Sequence, residues 1–139
     1  MSEVAYVALG SNLGDRARYL AAARAALARL PGSRVLAASE IEETEPLGGV
    51  PQPRYLNQML KLETALPARD LLARLHDIER ELGRTRGERW ASRTIDLDLV
   101  RYDDLTSDDS ELRLPHPGLA TRDFWQREVA QLERQEPGA

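Results

Sequence analysis

The hydrophobic pattern of this chain alternates between the two-residue period of strands and the 3.6-residue period of helices. Apolar residues recur at helical spacing over 16–30 and 67–82, and a further helix is expected over 123–134. Shorter apolar or alternating runs predict four strands, at 4–9, 33–44, 55–64 and 94–102. The predicted order is therefore strand, helix, strand, strand, helix, strand, with a helix in the tail.

The predicted elements are bounded by residue types that begin or end such elements. Asp15 can cap the first helix, and Pro31-Gly32 ends it. Pro67 suits the start of the second helix, and Gly83 follows its last apolar residue. Residues 103–111 are acidic and are expected to be irregular.

This order of elements matches the split βαβ arrangement. We therefore expect an α+β fold of the ferredoxin-like class, an antiparallel sheet with helices packed on it. A chain of 139 residues is long enough to bury a core. We expect one domain over 1–139, in which 135–139 form a disordered tail.

Composition and charge narrow the classes of function. The 19 basic and 23 acidic residues give a net charge of −4, which argues against a nucleic-acid partner because most such domains are basic. The absence of cysteine excludes disulfides, zinc–thiolate sites and thiol catalysis. The first ten residues lack the pattern of a signal peptide, and no apolar run approaches a membrane span. We expect a soluble cytoplasmic protein with no membrane association.

Candidate chemistry is concentrated in the last predicted strand. In Ile95-Asp96-Leu97-Asp98-Leu99 the two aspartates project from one face while the aliphatic side chains enter the core. Their carboxylates, one pleat repeat or roughly 7 Å apart, are hard oxygen ligands that suit Mg²⁺. Taken alone, the pair is also compatible with two solvated acids on an edge strand.

A basic segment precedes this strand. Its guanidinium groups, which suit a polyphosphate, belong to Arg84, Arg86, Arg89 and Arg93. Loops of this kind are also common as plain solvated surface. Beside two carboxylates, however, the arginines favour phosphoryl-transfer chemistry, which depends on positioning and charge neutralisation.

Four segments of the chain carry a more specific signal. In chain order they are Ala8-Leu9-Gly10-Ser11-Asn12-Leu13-Gly14, Thr44-Glu45-Pro46-Leu47-Gly48 with Gln52-Pro53-Arg54-Tyr55-Leu56-Asn57, Arg89-Trp90-Ala91-Ser92-Arg93-Thr94-Ile95-Asp96-Leu97-Asp98-Leu99-Val100, and Leu114-Pro115-His116-Pro117 with Arg122-Asp123-Phe124. Together they resemble the 6-hydroxymethyl-7,8-dihydropterin pyrophosphokinase family of folate biosynthesis. The resemblance spans residues 4–125 and implies the same ferredoxin-like fold.

The resemblance implies an ATP-dependent diphosphotransferase. In that family the β,γ-diphosphate of ATP moves in one step to the hydroxymethyl oxygen of 6-hydroxymethyl-7,8-dihydropterin, and AMP is released. Asp96 and Asp98 would hold two Mg²⁺ ions against the phosphates, and Asp96 would also help to accept the hydroxyl proton. Arg84 and Arg93 match arginines that contact the triphosphate and the transition state, so these four residues form the implied catalytic set.

The resemblance also implies the contacts of both substrates. The ATP contacts are Glu79, Arg86, Trp90, Arg93, His116 and Arg122. The pterin contacts comprise two sandwiching rings, an edge of amide and backbone groups, and an indole that closes the slot. These are Tyr55 and Phe124, then Asn57, Thr44, Pro46 and Leu47, and finally Trp90. A site built on such hydrogen bonds discriminates strongly among ligands.

Two alternatives to catalysis remain open. Ala91-Ser92 and the tail after Phe124 depart from the family's pattern, which leaves room for a catalytically silent pterin- or nucleotide-binding relative that regulates or scaffolds other folate enzymes. An RNA-binding module is a third reading, because RNA-recognition domains share the ferredoxin-like layout. The acidic charge balance counts against it. We expect a monomer whose partners are the two small substrates.

Overall fold

A computed structural model of the protein describes residues 2–46, 51, 53–83 and 95–134. The strands in these ranges are β1 (Glu3–Ser11), β2 (Ser33–Ala38), β3 (Glu42–Thr44), β4 (Tyr55–Thr64), β5 (Asp96–Tyr102), β6 (Ser107–Asp109) and β7 (Leu112–Leu114). The helices are α1 (Arg16–Ala28), α2 (Ala68–Glu81) and α3 (Asp123–Arg134), with a 3-10 turn over Pro117–Ala120. The arginine segment 84–93 and the expected tail 135–139 lie outside the described residues.

The main sheet has the strand order β2-β4-β1-β5, and every neighbouring pair is antiparallel. The short β3 pairs with the first residues of β4. Helix α1 connects β1 to β2, and α2 connects β4 to β5, so each half of the sheet is a split βαβ unit. This arrangement confirms the expected α+β, ferredoxin-like fold.

The face of the sheet that α1 and α2 cover is a continuous apolar core. Side chains from β1, α1 and α2 that are at most 1% exposed meet there, among them Val7, Leu9, Leu20, Leu27, Leu71 and Leu75. Alternate residues of each strand supply this face, as the pleat requires. Full burial of each such side chain stabilises the fold by about 1.5–3 kcal/mol relative to exposure.

Helix α3 covers the opposite face of the sheet, but only in part. Its apolar residues and those beneath it form a second cluster of Tyr6, Ala8, Met59, Val100, Phe124, Trp125, Val129 and Leu132. The tail helix was expected from the sequence, and its apolar positions account for its docking. No helix within the described ranges is long and apolar enough to cross a membrane.

A β-bulge interrupts the pairing of β1 with β5. Val7 pairs with Leu99 whereas Tyr6 pairs with Arg101, so Val100 is the extra residue. Val100 and Arg101 therefore both lie on the α3 face, where the Arg101 guanidinium is 4.8 Å from the centre of the Tyr6 ring. Bulges redirect side chains in this way.

Three sequence predictions differ from the structure. The strand expected over 33–44 is divided, because Ser39 bonds to Met59 with its backbone N–H and with its hydroxyl, both at 2.9 Å, before β3 resumes pairing at Glu42. The segment 103–111 is not wholly irregular, since Ser107–Asp109 pairs with Leu112–Leu114 as a hairpin. Helix α1 also ends two residues earlier than the predicted 16–30.

Candidate active site

Strand β5 presents different chemistry on its two faces. Leu97 and Leu99 are each 3% exposed and belong to the core beneath α1 and α2. Asp96 and Asp98 lie on the other face, where they pair across the ladder with Gly10 and Ala8 of β1. The predicted alternation of carboxylates and aliphatic side chains is therefore confirmed.

A cavity of about 450 Å³ opens above these aspartates. Of the site residues predicted from the sequence, its lining includes Thr44, Tyr55, Asn57, Glu79, Asp96, Asp98, Arg122 and Phe124. Five elements supply them: β3, β4, α2, β5 and the start of α3 with the residue before it. Segments that are distant in sequence thus converge on one space.

The wall of this cavity formed by β3 and β4 is held by side-chain contacts. The Asn57 amide donates to the Thr44 hydroxyl at 2.6 Å, which fixes the orientation of the amide. Gly10 lies beside this wall, and a Cβ atom there would stand 3.3 Å from Asn57 Oδ1 and 3.5 Å from Tyr55 Cδ1. The absence of a side chain at Gly10 therefore keeps the space next to Tyr55 and Asn57 open.

A second cavity, of about 370 Å³, adjoins the first. The two share His76, Leu97 and Asp98 in their linings, and the second is bounded further by His116 and by Arg113 on β7. Asp98 consequently stands where the two spaces meet. Ligands in the two cavities would approach each other at this carboxylate.

The His116 ring is oriented by the turn that follows it. The Gly118 N–H donates to His116 Nδ1 at 2.9 Å, so the neutral ring carries its proton on Nε2, which lies 3.8 Å from Asp98 Oδ1. Burial lowers the pKa of His116, Asp98 opposes this by raising it, and Arg122 lowers it further. The net shift favours the neutral ring, whose Nε2–H is a hydrogen-bond donor.

Trp125 is a cavity residue that the sequence analysis did not identify. The Arg122 guanidinium lies 4.4 Å from the centre of the indole, and His116 packs edge-on against it with ring centres 5.0 Å apart. Such cation–π and edge-to-face contacts hold both side chains in place. The signal was its apolar spacing with Val129 and Leu132, which marks the buried face of α3.

Glu79 has a backbone contact in addition to its place in the cavity lining. It is 6% exposed, and its Oε2 atom accepts a hydrogen bond from the Leu97 N–H at 2.7 Å. Leu97 lies between the two aspartates, so this bond from α2 helps to fix the strand that carries them. The family resemblance implied only a nucleotide contact for Glu79, and no local pattern in the sequence indicates this backbone bond.

Several predicted site residues are not brought into either cavity. Pro46 is described but lines neither space. Leu47, Arg84, Arg86, Trp90 and Arg93 lie outside the described residues. Among the residues that are described, no group of three or more carboxylate or imidazole side chains could enclose a metal ion. An ion on Asp96 and Asp98 would take its other ligands from water and from a bound substrate.

The arrangement has a definite chemical capacity. Two cavities meet over a pair of carboxylates on rigid strand backbone. One cavity is bounded by aromatic rings and an oriented amide, and the other by a neutral imidazole donor. Such a site can hold two different ligands and bring them together beside carboxylates, a ligand type that suits hard metal ions.

Comparison with known proteins adds family information to this geometry. Residues 6–134 match the family model described as 7,8-dihydro-6-hydroxymethylpterin-pyrophosphokinase (HPPK). A 2-amino-4-hydroxy-6-hydroxymethyldihydropteridine pyrophosphokinase of Bacillus subtilis is 39% identical over 135 residues, which cover 97% of this chain and 81% of the relative. Proteins with the same description are 41% identical in Pseudomonas aeruginosa, over 89% of this chain and 76% of the relative, and 39% identical in Haemophilus influenzae, over 86% and 75%.

Proposed function

We propose a mechanism on one premise: the chain belongs to the 7,8-dihydro-6-hydroxymethylpterin-pyrophosphokinase family. It is an ATP-dependent diphosphotransferase that converts 6-hydroxymethyl-7,8-dihydropterin and ATP into the pterin diphosphate and AMP, a step of folate biosynthesis. The observation that carries the mechanism is the meeting of two cavities at Asp98. We assign one cavity to each substrate.

The pterin occupies the cavity bounded by β3, β4 and α3. Tyr55 and Phe124 stack on the two faces of the pterin ring. The oriented Asn57 amide and the backbone at Thr44 form hydrogen bonds with the edge of the ring. Offset stacking contributes about 0.5–1.5 kcal/mol beyond area burial. Pro46, Leu47 and Trp90 complete the proposed pterin contacts.

The triphosphate of ATP enters from the second cavity. The His116 Nε2–H supplies a donor for its phosphate oxygens from the second cavity. We assign Arg122 and Glu79, which line the first cavity, to further ATP contacts where the two cavities meet. We assign Arg84 and Arg93 to the triphosphate and transition state. Arg86 and Trp90 complete the proposed nucleotide contacts.

Asp96 and Asp98 are proposed to hold two Mg²⁺ ions. The donor set fits this metal, because Mg²⁺ prefers carboxylate oxygens and commonly completes its coordination with water and substrate phosphates. When bound, the ions supply charge neutralisation and acidify the substrate hydroxyl. The strand backbone, fixed by β1 and by the Glu79 contact, keeps the two carboxylates in place.

Bonding changes in the proposed step are simple. The hydroxymethyl oxygen of the pterin forms a bond to the β-phosphorus of ATP, and the bond between that phosphorus and the bridging α-phosphate oxygen breaks. AMP takes the released electron pair, and Asp96 helps to accept the hydroxyl proton. The protein contributes mainly orientation and charge complementarity.

We further propose a cytoplasmic monomer that forms one domain over 1–139. Use of ATP favours the cytoplasm. The large exposed hydrophobic residues of the described ranges occur singly on three separate connections, as Leu13, Ile41 and Leu105, and isolated residues of this kind do not form an association surface.

The test is direct. Protein, ATP, Mg²⁺ and 6-hydroxymethyl-7,8-dihydropterin are mixed, and AMP and the pterin diphosphate are quantified by chromatography. We expect stoichiometric formation of both products and its loss on addition of EDTA. Pterin binding without AMP would instead indicate the silent binding relative. The RNA-binding alternative is disfavoured because α3 packs on the sheet face that RNA-recognition domains use for stacked bases.

A further inference from the structure

Helix α3 carries a buried acid that the mechanism above does not use. Glu128 is 2% exposed, and neither of its carboxyl oxygens has a hydrogen-bond partner among the described residues. Oε1 of Glu42 on β3 is in the same situation. An ionised carboxylate buried without a partner is strongly disfavoured, so these three oxygens need an explanation.

A single proton pairs two of these oxygens and leaves the third, the other oxygen of Glu128, as part of a neutral carboxyl group rather than of a buried charge. Burial first, and then the adjacent Glu42 side chain, as a hydrogen-bond acceptor for the protonated acid and as a negative charge, raise the pKa of Glu128 to about 9, while Arg127 opposes the shift. Two carboxylates cannot bond to each other, but a protonated Glu128 can donate to the Glu42 carboxylate. Carboxyl pairs that share one proton are a recognised outcome of close like charges.

The pair joins two elements that bound the pterin cavity. Next to it, Arg127 Nε donates to Glu42 Oε2 at 3.3 Å, and the Glu40 N–H donates to Gln131 Oε1 at 3.1 Å. Arg127 and Gln131 belong to α3, whereas Glu42 begins β3 and Glu40 lies two residues before it. The contact between α3 and β3 is therefore a series of polar contacts with Glu128 at its buried centre.

Glu42 and Glu128 each lie on the same face of their element as a residue of the pterin site. Glu42 is two residues before Thr44 on β3, so both side chains leave the same face of the strand. Glu128 is four residues after Phe124 on α3, so both lie on the same side of the helix. Thr44 in turn orients Asn57. The spacing of Glu42 and Glu128 thus sets the spacing of two walls of the cavity.

We propose that Glu128 is a positioning residue for the pterin cavity: as a neutral acid it donates a hydrogen bond to Glu42 and fixes α3, with Phe124, against β3, with Thr44. The inference rests on the proposed function for its link to the pterin. The protonated pair itself does not depend on that function. Glu128 touches no reacting atom in this scheme.

The surrounding charges are few. On α3, Arg127 contacts both Glu42 and Asp123, the latter at 3.5 Å. The sheet face below α3 carries Lys61, which pairs across the ladder with Tyr6, and Arg101, which is bonded to Glu133. Neither Lys61 nor Arg101 is among the groups that shift the pKa of Glu128.

The sign of the pH dependence follows from this shift. Between the ordinary value of 4.5 and about 9, folded Glu128 keeps its proton and unfolded Glu128 does not. The folded state therefore binds more protons, and its stability falls as pH rises through this window. The unfolding constant should rise by up to about tenfold per pH unit from this group.

The experiment compares three variants with the wild-type protein. Glu128→Gln keeps a neutral donor, Glu128→Ala removes it, and Glu133→Gln is a matched control on an exposed position of the same helix. Urea unfolding from pH 5 to pH 9.5 tests the proton. The KM values for pterin and ATP, measured with kcat at pH 7, test the positioning.

We expect Glu128→Gln to match the wild-type KM for pterin and to lose the fall of stability with pH. Glu128→Ala should raise the KM for pterin by about tenfold, the scale of one lost charge-assisted hydrogen bond, with little change in kcat or in the KM for ATP. Glu133→Gln loses only its exposed ion pair with Arg101, so it should keep the wild-type KM values and the wild-type fall of stability with pH.

An unchanged pH slope in Glu128→Gln overturns the shared proton. An unchanged KM for pterin in Glu128→Ala overturns the positioning role. If that variant does not fold, Glu128→Gln provides the test, and a raised KM for pterin in it at pH 7 overturns the role. Failure of the wild-type protein to form AMP would count against the proposed function, while the unfolding series would still decide the protonation of Glu128.

Discussion

The two faces of the central sheet differ in polarity and in how far helices cover them, although the same strands form both. Under α1 and α2 the face is closed and apolar, with Leu97 and Leu99 fully inside. Under α3 the cover is partial, and Asp96 and Asp98 stand at the edge of an open cavity. From Asp96 to Leu99, β5 therefore alternates carboxylates on the cavity face with leucine side chains in the core.

Strand β1 shows the same contrast in the size of its side chains. Val7 and Leu9 fill the closed face, whereas Ala8 and Gly10 leave room below the cavity on the other. The cost of keeping carboxylates and empty space on one face is offset by dense packing on the opposite one. Substitutions on the cavity face should therefore change kcat or KM, whereas substitutions on the closed face should change the free energy of unfolding.

The largest expected effect belongs to the open face. Asp98→Ala should lower kcat by about 10²–10³-fold or more, because it removes an electrostatic contact at the junction of the two cavities. Its urea midpoint should change little, since the side chain is 39% exposed and sits near another carboxylate. AMP formation and urea unfolding measure the two quantities.

A matched control for this variant is Asp104→Ala, in the exposed turn after β5. It should leave kcat at the wild-type level. Activity of Asp98→Ala close to wild type would contradict the proposed Mg²⁺ binding by the carboxylate pair.

The next effect belongs to the closed face. Leu75→Ala removes a fully buried side chain of α2 and should lower the free energy of unfolding by about 2–5 kcal/mol. Its kcat per folded molecule should stay near wild type under conditions where the variant is folded. Leu105→Ala, at an exposed leucine, is the control and should hardly change the urea midpoint. A large loss of kcat in folded Leu75→Ala would break the division between the faces.

The smallest effect tests the empty space itself. Gly10→Val places a branched side chain where even a Cβ would lie 3.3 Å from Asn57 Oδ1. Overpacking of about 1–3 kcal/mol corresponds to a rise of about 5- to 150-fold in the KM for pterin. The KM for ATP should change much less. Equal changes in both KM values would mean that Gly10 does not border a separate pterin cavity.

The sequence predicted the fold and the aspartate face because both depend on local periodicity. The alternation in β5 predicts a strand and the apolar spacing in α2 predicts a helix, and neither prediction requires knowledge of what packs against the element. The motifs also brought Tyr55, Asn57 and Phe124 into the expected set, and all three line one cavity. Their roles as pterin contacts remain a proposal.

Features that depend on tertiary contact were not predictable. Trp125 became a cavity residue only because α3 docks beside His116. Glu128 resembles any solvated helical glutamate until β3 is placed against it. The division of the 33–44 strand depends on the Ser39 contacts with Met59, which span 20 residues. In each case the deciding partner is remote in sequence.

The bulge at Val100 has a consequence for tolerance to changes in length. Because Val100 is an added residue, the side chains of Arg101 and Tyr102 leave the same faces of β5 as they would in a regular strand without it. Tyr102 points to the core side, where its hydroxyl donates to the Leu66 carbonyl at 2.5 Å. Removing Val100 would shorten β5 and leave the orientation of both aspartates unchanged. The bulge thus separates the register of the carboxylates from that of the end of β5, and loss of this one residue need not turn either aspartate to the other face.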